Sequence, residues 1–212
     1  SYISHIEALR ITETAYLAAS SSLIWIALYY LPIGGALFRL ALPLPLILLQ
    51  LRRGNSSGFE GVILAVLLLV ILMGPVRGPL IIFPYGLLSM WLGWCWKNQF
   101  SWWISWALGV LLGTFGFFVR VLVLSLLVGE NLWIVITRAG SALIDRFVEL
   151  FALQISPDIG LVQIVAVTLV ILQEIIYVLT LHAVAYWIFP RLKAKMPEPP
   201  AFLYGLVTID PI

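Results

Sequence analysis

Charge is scarce in this chain. Asp, Glu, Lys and Arg make up 10% of its 212 residues, 62% are hydrophobic, and the mean hydropathy is +1.08. Soluble domains average about 25% charged and about 45–50% apolar residues. With so little charge such a domain could not cover its own core, which excludes a cytosolic globular enzyme, a disordered chain and a nucleic-acid binder. Cysteine is almost absent: Cys95, set between Trp94 and Trp96, rules out an intrachain disulfide and any multi-cysteine metal site. It reads as inert packing near a membrane interface. Histidine is limited to His5 and His182, and the patterns HExxH, CxxC, GxxxxGK and GxSxG are missing. No metal, no cofactor and no catalytic residues are therefore expected, and His182 is expected to be structural. The net charge of +2 is too small to argue for an anionic partner.

Long apolar runs are what the chain has instead. A spanning helix needs about 20 mostly apolar residues, and six stretches approach or meet that: 14–31, 37–51, 59–73, 80–96, 102–128 and 161–189. Pro and Gly clusters or polar turns separate them. The second run contains Pro43 and Pro45 and is expected to be kinked or partly unwound; the fourth contains Pro84 and ends in tryptophans, as an interfacial aromatic belt would. Residues 1–13, which lack a signal-peptide pattern, are expected to form a short interfacial helix leading into the first span.

Between 130 and 156 the pattern changes, and acids and arginines alternate with Trp133, Ile136, Leu143, Phe147 and Leu150. That spacing predicts an amphipathic helix at one membrane face, with Arg138, Asp145 and Glu149 turned to water. The expected fold is an all-α polytopic bundle of about six transmembrane helices plus this interfacial helix, in a single domain over 1–212. The membrane bundle covers 14–189 and a basic tail 190–212. Seven Lys and Arg (Arg10, Arg52, Arg53, Lys97, Arg191, Lys193, Lys195) fall on the side of the termini, against Arg77, Arg138 and Arg146 opposite. The bias places both termini on the cytoplasmic or stromal side.

Charges inside the spans are the strongest local signal, because one at the bilayer centre costs about 2.5–3.5 kcal/mol and tends to be paired or functional. Arg39, Arg77 and Arg120 all fall toward the side opposite the termini, and Glu174 lies mid-way along the last span beside Gln173. One reading is an outward-facing substrate pocket whose guanidinium groups grip a carboxylate or phosphate by forked hydrogen bonds. The other is an Arg–Glu structural pair with two snorkelling arginines. Ala15, Ala18, Ala19 and Ser22 share one face of the first span, a surface on which a partner helix or a neighbouring span could pack closely. Gly109, Gly113 and Gly116 suit packing inside the bundle.

Four blocks carry a resemblance: TETAYLAASSSLIW (12–25), LPLPLILLQLRRG (42–54), LMGPVRGPLIIFPYGLLSMWLG (72–93) and LGTFGFFVRVLVLSLLVGENLW (112–133). They resemble the YybS-like family of predicted membrane proteins, in particular its cyanobacterial and plastid branch. That family is similar to the S components of energy-coupling factor (ECF) transporters, six-helix proteins that capture a micronutrient for an ABC-type importer. The resemblance implies a T-type transmembrane subunit and ATPase subunits as partners, docking through small-residue faces such as Ala15, Ala18 and Ala19. It also implies a cyanobacterial plasma or thylakoid membrane, or a plastid membrane, as location. A small-molecule substrate and membrane lipids complete the expected contacts. Two other functions fit the composition: an accessory or assembly subunit of a large, photosynthetic or other, membrane complex, and a protein that handles lipids or isoprenoid-like molecules.

Overall fold

The computed structural model describes residues 2–154, 156 and 158–208. Ser1 of the expected amino-terminal segment, Ile155 of the expected interfacial segment and the last four residues of the tail lie outside the described residues. All regular structure among the described residues is helical, and six segments there are long and apolar enough to cross a membrane.

The first crossing is α1 (Tyr2–Tyr30), one unbroken helix. No Pro or Gly precedes Pro32, so nothing stops the helix at residue 13. The helix expected over residues 1–13 therefore runs into the first crossing without a break.

The second crossing is two helices, α2 (Gly35–Ala41) and α3 (Leu44–Arg53), separated by a turn at Leu42 and Pro43. In an unbroken helix each carbonyl accepts the N–H four residues on. Pro43 has no N–H for the carbonyl of Arg39, and the Tyr177 hydroxyl donates to that carbonyl instead, at 2.6 Å. Ser21 donates to the Leu42 carbonyl at 2.9 Å and Ser89 to the Pro43 carbonyl at 3.4 Å. Hydroxyls of neighbouring spans thus satisfy the broken backbone where lipid offers no hydrogen bonds.

Gly54 alone joins α3 to α4 (Asn55–Met73), with φ +102°, a backbone conformation that L side chains rarely adopt. The fourth crossing is broken as well: a 3₁₀ turn at Pro79–Ile82 precedes α5 (Tyr85–Lys97), which begins immediately after Pro84. α6 (Trp102–Val128) and α8 (Ile159–Ile188) complete the crossings. The fourth crossing sits at the centre, 61% buried against 17% for α8, with α5 packed on α3, α4 and α6. The remaining helices turn their apolar faces outward, as lipid requires.

Between α6 and α8 lies α7 (Leu132–Leu150), capped by the Asn131 side chain, which accepts from the backbone of Trp133 and Ile134. Ile136, Leu143, Phe147 and Leu150 point away from the bundle, and Arg138, Asp145 and Glu149 occupy another exposed side. Trp133 departs from the expected face. It turns inward, its Nε1 donating to Gln163 Oε1 at 2.6 Å and its ring edge-on to Phe118.

Six crossings bring both ends of the described chain to one side of the bundle. There Arg10 pairs with Glu7 at 2.6 Å and Glu60 at 2.7 Å, while Glu13 takes Arg52 at 3.0 Å and Arg53 at 2.5 Å. These pairs tie α1 to α3 and α4. A short helix, α9 (Ala201–Val207), packs on that side against α8.

Candidate binding site within the bundle

The two proline-broken crossings meet α8 on the half of the bundle away from the termini. Between them and α6 lies a cavity of about 200 Å³, walled by Arg39, Tyr85, Arg120, Gln173, Glu174 and Tyr177. Each wall has a local cause. Tyr177 is held by the carbonyl that Pro43 frees, which fixes α2 against α8. Pro84 starts α5 at the cavity edge, so the positive end of a helix dipole forms part of the lining. Gly113 and Gly116 let α6 approach. A Cβ at Gly113 would collide with Glu174 Oε2, and one at Gly116 would sit 2.6 Å from Pro84 Cα.

Charge in the cavity is unbalanced. Arg39 and Arg120 form no salt bridge among the described residues. Glu174 is 6% exposed, and its Oε2 has no hydrogen-bond partner among the described residues. Two guanidinium cations against one carboxyl group leave a surplus of at least one positive charge. The Arg120 guanidinium carbon lies 5.2 Å from the ring centroid of Trp25, a cation–π contact that holds it in place. Trp25, Tyr85 and Tyr177 stack edge to face in sequence, at 5.8 and 6.4 Å, as the floor beneath it.

Arg77 is not brought here. It is exposed on the loop after α4, 5.9 Å from the Tyr29 ring centroid. Among the small residues of α1, Ala18 and Ser22 are buried at 0% and 2%, and Ser22 donates toward the Ala65 carbonyl of α4 at 3.4 Å. Ala15 is exposed and Ala19 half-buried. The four therefore do not make one free surface, because part of that face packs against α4. Sequence reasoning missed Tyr85 and Tyr177. The usable signals were a tyrosine directly after a proline break and another three residues beyond the deep acid.

His182 has no place in the cavity. Its Nδ1 lies 2.7 Å from the Val178 carbonyl and its Nε2 2.7 Å from Ser105 Oγ, with Trp96 and Trp102 against its ring. At 0% exposure it has no path for a substrate and acts as a packing residue. No group of three or more His, Cys, Asp or Glu that could hold a metal occurs among the described residues.

A family model described as predicted membrane protein (DUF2232) matches residues 18–204. The chain belongs to that family. No curated protein and no solved structure matches it. For this DUF2232 chain the matched segment contains every cavity residue named above and excludes Ala15. It is a multi-pass helical membrane protein.

Proposed function

We propose that the protein is a membrane-embedded binding subunit, without enzymatic activity, that captures a small anion-bearing molecule in the Arg39–Arg120–Glu174 cavity. In this reading it resembles an S component of an energy-coupling factor importer. One observation carries the proposal: two arginines without an acidic partner among the described residues share a cavity with a buried carboxyl oxygen that also lacks a partner there. Keeping an unpaired charge at membrane depth costs several kcal/mol, and an anion held by both guanidinium groups offsets that cost. Discontinuous helices whose amino ends face an anionic group are a recurrent way to build midplane substrate sites in transporters. The sequence has no phosphate-binding loop of its own, so transport would draw its energy from ATPase and T-type partners. Docking would use the lipid-facing edge of α1 at Ala15 and Ala19.

Native mass spectrometry of the full chain released from nanodiscs tests the capture. A co-purified anionic species should remain with the wild type and with Arg77→Ala, and should be lost from Arg39→Ala and Arg120→Ala. Equal retention by all four proteins, or none by the wild type, would overturn the reading. Co-isolation of T-type and ATPase subunits would support an importer, whereas co-isolation with subunits of another complex would favour the accessory role.

A further inference from the structure

The cavity shares part of its wall with a second space. Arg39, Gln173 and Tyr177 also line a second space of about 550 Å³, a groove on the outer surface between α2 and α8. The rest of the groove is almost wholly apolar, with Leu40, Leu169, Leu172 and Ile176 prominent. Leu169, Leu172, Ile176 and Thr180 fall at helical spacing on one face of α8, so the groove follows about 17 Å of that helix.

Volume decides what the two spaces can hold. Pockets for drug-sized ligands occupy about 300–1,000 Å³, so a 200 Å³ cavity is too small for such a molecule alone. Liquid water takes about 30 Å³ per molecule, so the cavity suits a headgroup of a handful of heavy atoms. Its chemistry is that of a headgroup site: two forked cations from different helices and a positive surplus. The adjoining groove offers hydrocarbon contact and, Thr180 aside, little polar chemistry. A phosphate monoester, with three terminal oxygens, can form a two-oxygen fork with each of two guanidinium groups by sharing one oxygen, which the two oxygens of a carboxylate or of a phosphodiester cannot.

We infer that the captured molecule is an amphiphile, with a phosphate-bearing head in the Arg39–Arg120–Glu174 cavity and a hydrocarbon chain along the α2–α8 groove. The inference rests on the binding function proposed above and names the class of its ligand. A bilayer lipid whose head is a phosphate monoester (a phosphatidic acid) and a free alkyl phosphate share this chemistry.

The test uses the full chain in phosphatidylcholine nanodiscs, titrated with hexyl phosphate, inorganic phosphate and hexanol. The readout is tryptophan fluorescence, which Trp25 beneath Arg120 should report. Hexyl phosphate should bind saturably and at least tenfold more tightly than inorganic phosphate, and hexanol should give no saturable signal. Arg120→Gln and Arg39→Gln should each weaken hexyl phosphate at least tenfold. Leu172→Trp and Ile176→Trp fill the groove from the lipid side, where both residues are exposed and folding is spared. They should weaken hexyl phosphate at least tenfold and leave inorganic phosphate unchanged. If both phosphates bind equally, are lost in the arginine variants and ignore the groove variants, the cavity stands and the amphiphile is refuted. If neither binds, or the arginine variants bind as wild type, the cavity reading itself fails and takes the inference with it. Repeating the titration in nanodiscs containing phosphatidic acid, against phosphatidylglycerol nanodiscs of equal surface charge, separates the sources: weaker hexyl phosphate binding with phosphatidic acid identifies a bilayer lipid as occupant, and equal binding a free amphiphile.

Discussion

Replacing Gly116 by Ala, with Gly140→Ala as its reference, isolates the close approach that builds the cavity. Both glycines lie inside helices at ordinary φ, so both variants gain the same backbone term, about 0.5–1 kcal/mol in favour of Ala. They differ in what the new Cβ meets. At Gly140 nothing lies within 4 Å. At Gly116 the Cβ would sit 2.6 Å from both Cα and Cβ of Pro84 and 3.2 Å from its nitrogen. None of these atoms belongs to a flexible side chain, so α6 must retreat from the start of α5. Overpacking of that kind costs about 1–3 kcal/mol. Subtracting the shared term, Gly116→Ala should be about 1–3 kcal/mol less stable than Gly140→Ala, and Gly140→Ala more stable than wild type. Reversible unfolding in mixed micelles titrated with sodium dodecyl sulfate measures both. Stabilities equal within about 0.5 kcal/mol, or the reverse order, would refute the claim that α6 is held against Pro84. Because Pro84 lines the cavity, the variant should also weaken anion binding.

Three further outcomes follow from other parts of the fold. Glu13→Gln removes the carboxylate shared by Arg52 and Arg53 at the terminal side, and should lower stability by up to about 1 kcal/mol. Salt should shrink the difference from wild type, and a salt-independent loss would contradict an ionic origin. Cys95 is fully buried and should resist maleimide in the folded protein, giving a silent background for single cysteines introduced at 56, 77 and 193. Positions 56 and 193 should label from one face and 77 from the other; labelling of 56 and 193 from opposite faces would overturn the six-crossing topology. Spin labels on α7 should separate by face: positions 143 and 147 accessible to oxygen in the lipid, positions 145 and 149 to a water-soluble relaxant. Uniform accessibility would contradict an amphipathic helix at the interface.

Much of the fold was readable from local chemistry. Apolar runs of spanning length predict crossings because backbone polar groups in lipid must be satisfied within the segment. The six segments coincide with the expected runs to within a few residues at most ends. Pro43 predicts the break in the second crossing because the missing N–H is a property of that residue alone. A helix was expected over residues 1–13, but its charges at Glu7, Arg10 and Glu13 did not show that it runs unbroken into the first crossing. Those charges are compatible with a continuous helix once Glu60, Arg52 and Arg53 pair with them, and such partners 39 to 50 residues away leave no local mark.

The site divides along the same line. Sequence alone determined that Arg39, Arg120 and Glu174 are charges at membrane depth, because depth follows from position within an apolar run. Tertiary structure decided that these three share one cavity while Arg77 stays outside it. That choice depends on the rotation of each helix about its axis, which close packing sets at Gly113, Gly116 and the Tyr177–Arg39 hydrogen bond. It also decided the fate of the small-residue face on α1. Residues of that kind permit close approach equally to a partner subunit or to α4, and the inter-helix packing that buries Ala18 and Ser22 is a contact between segments more than 40 residues apart.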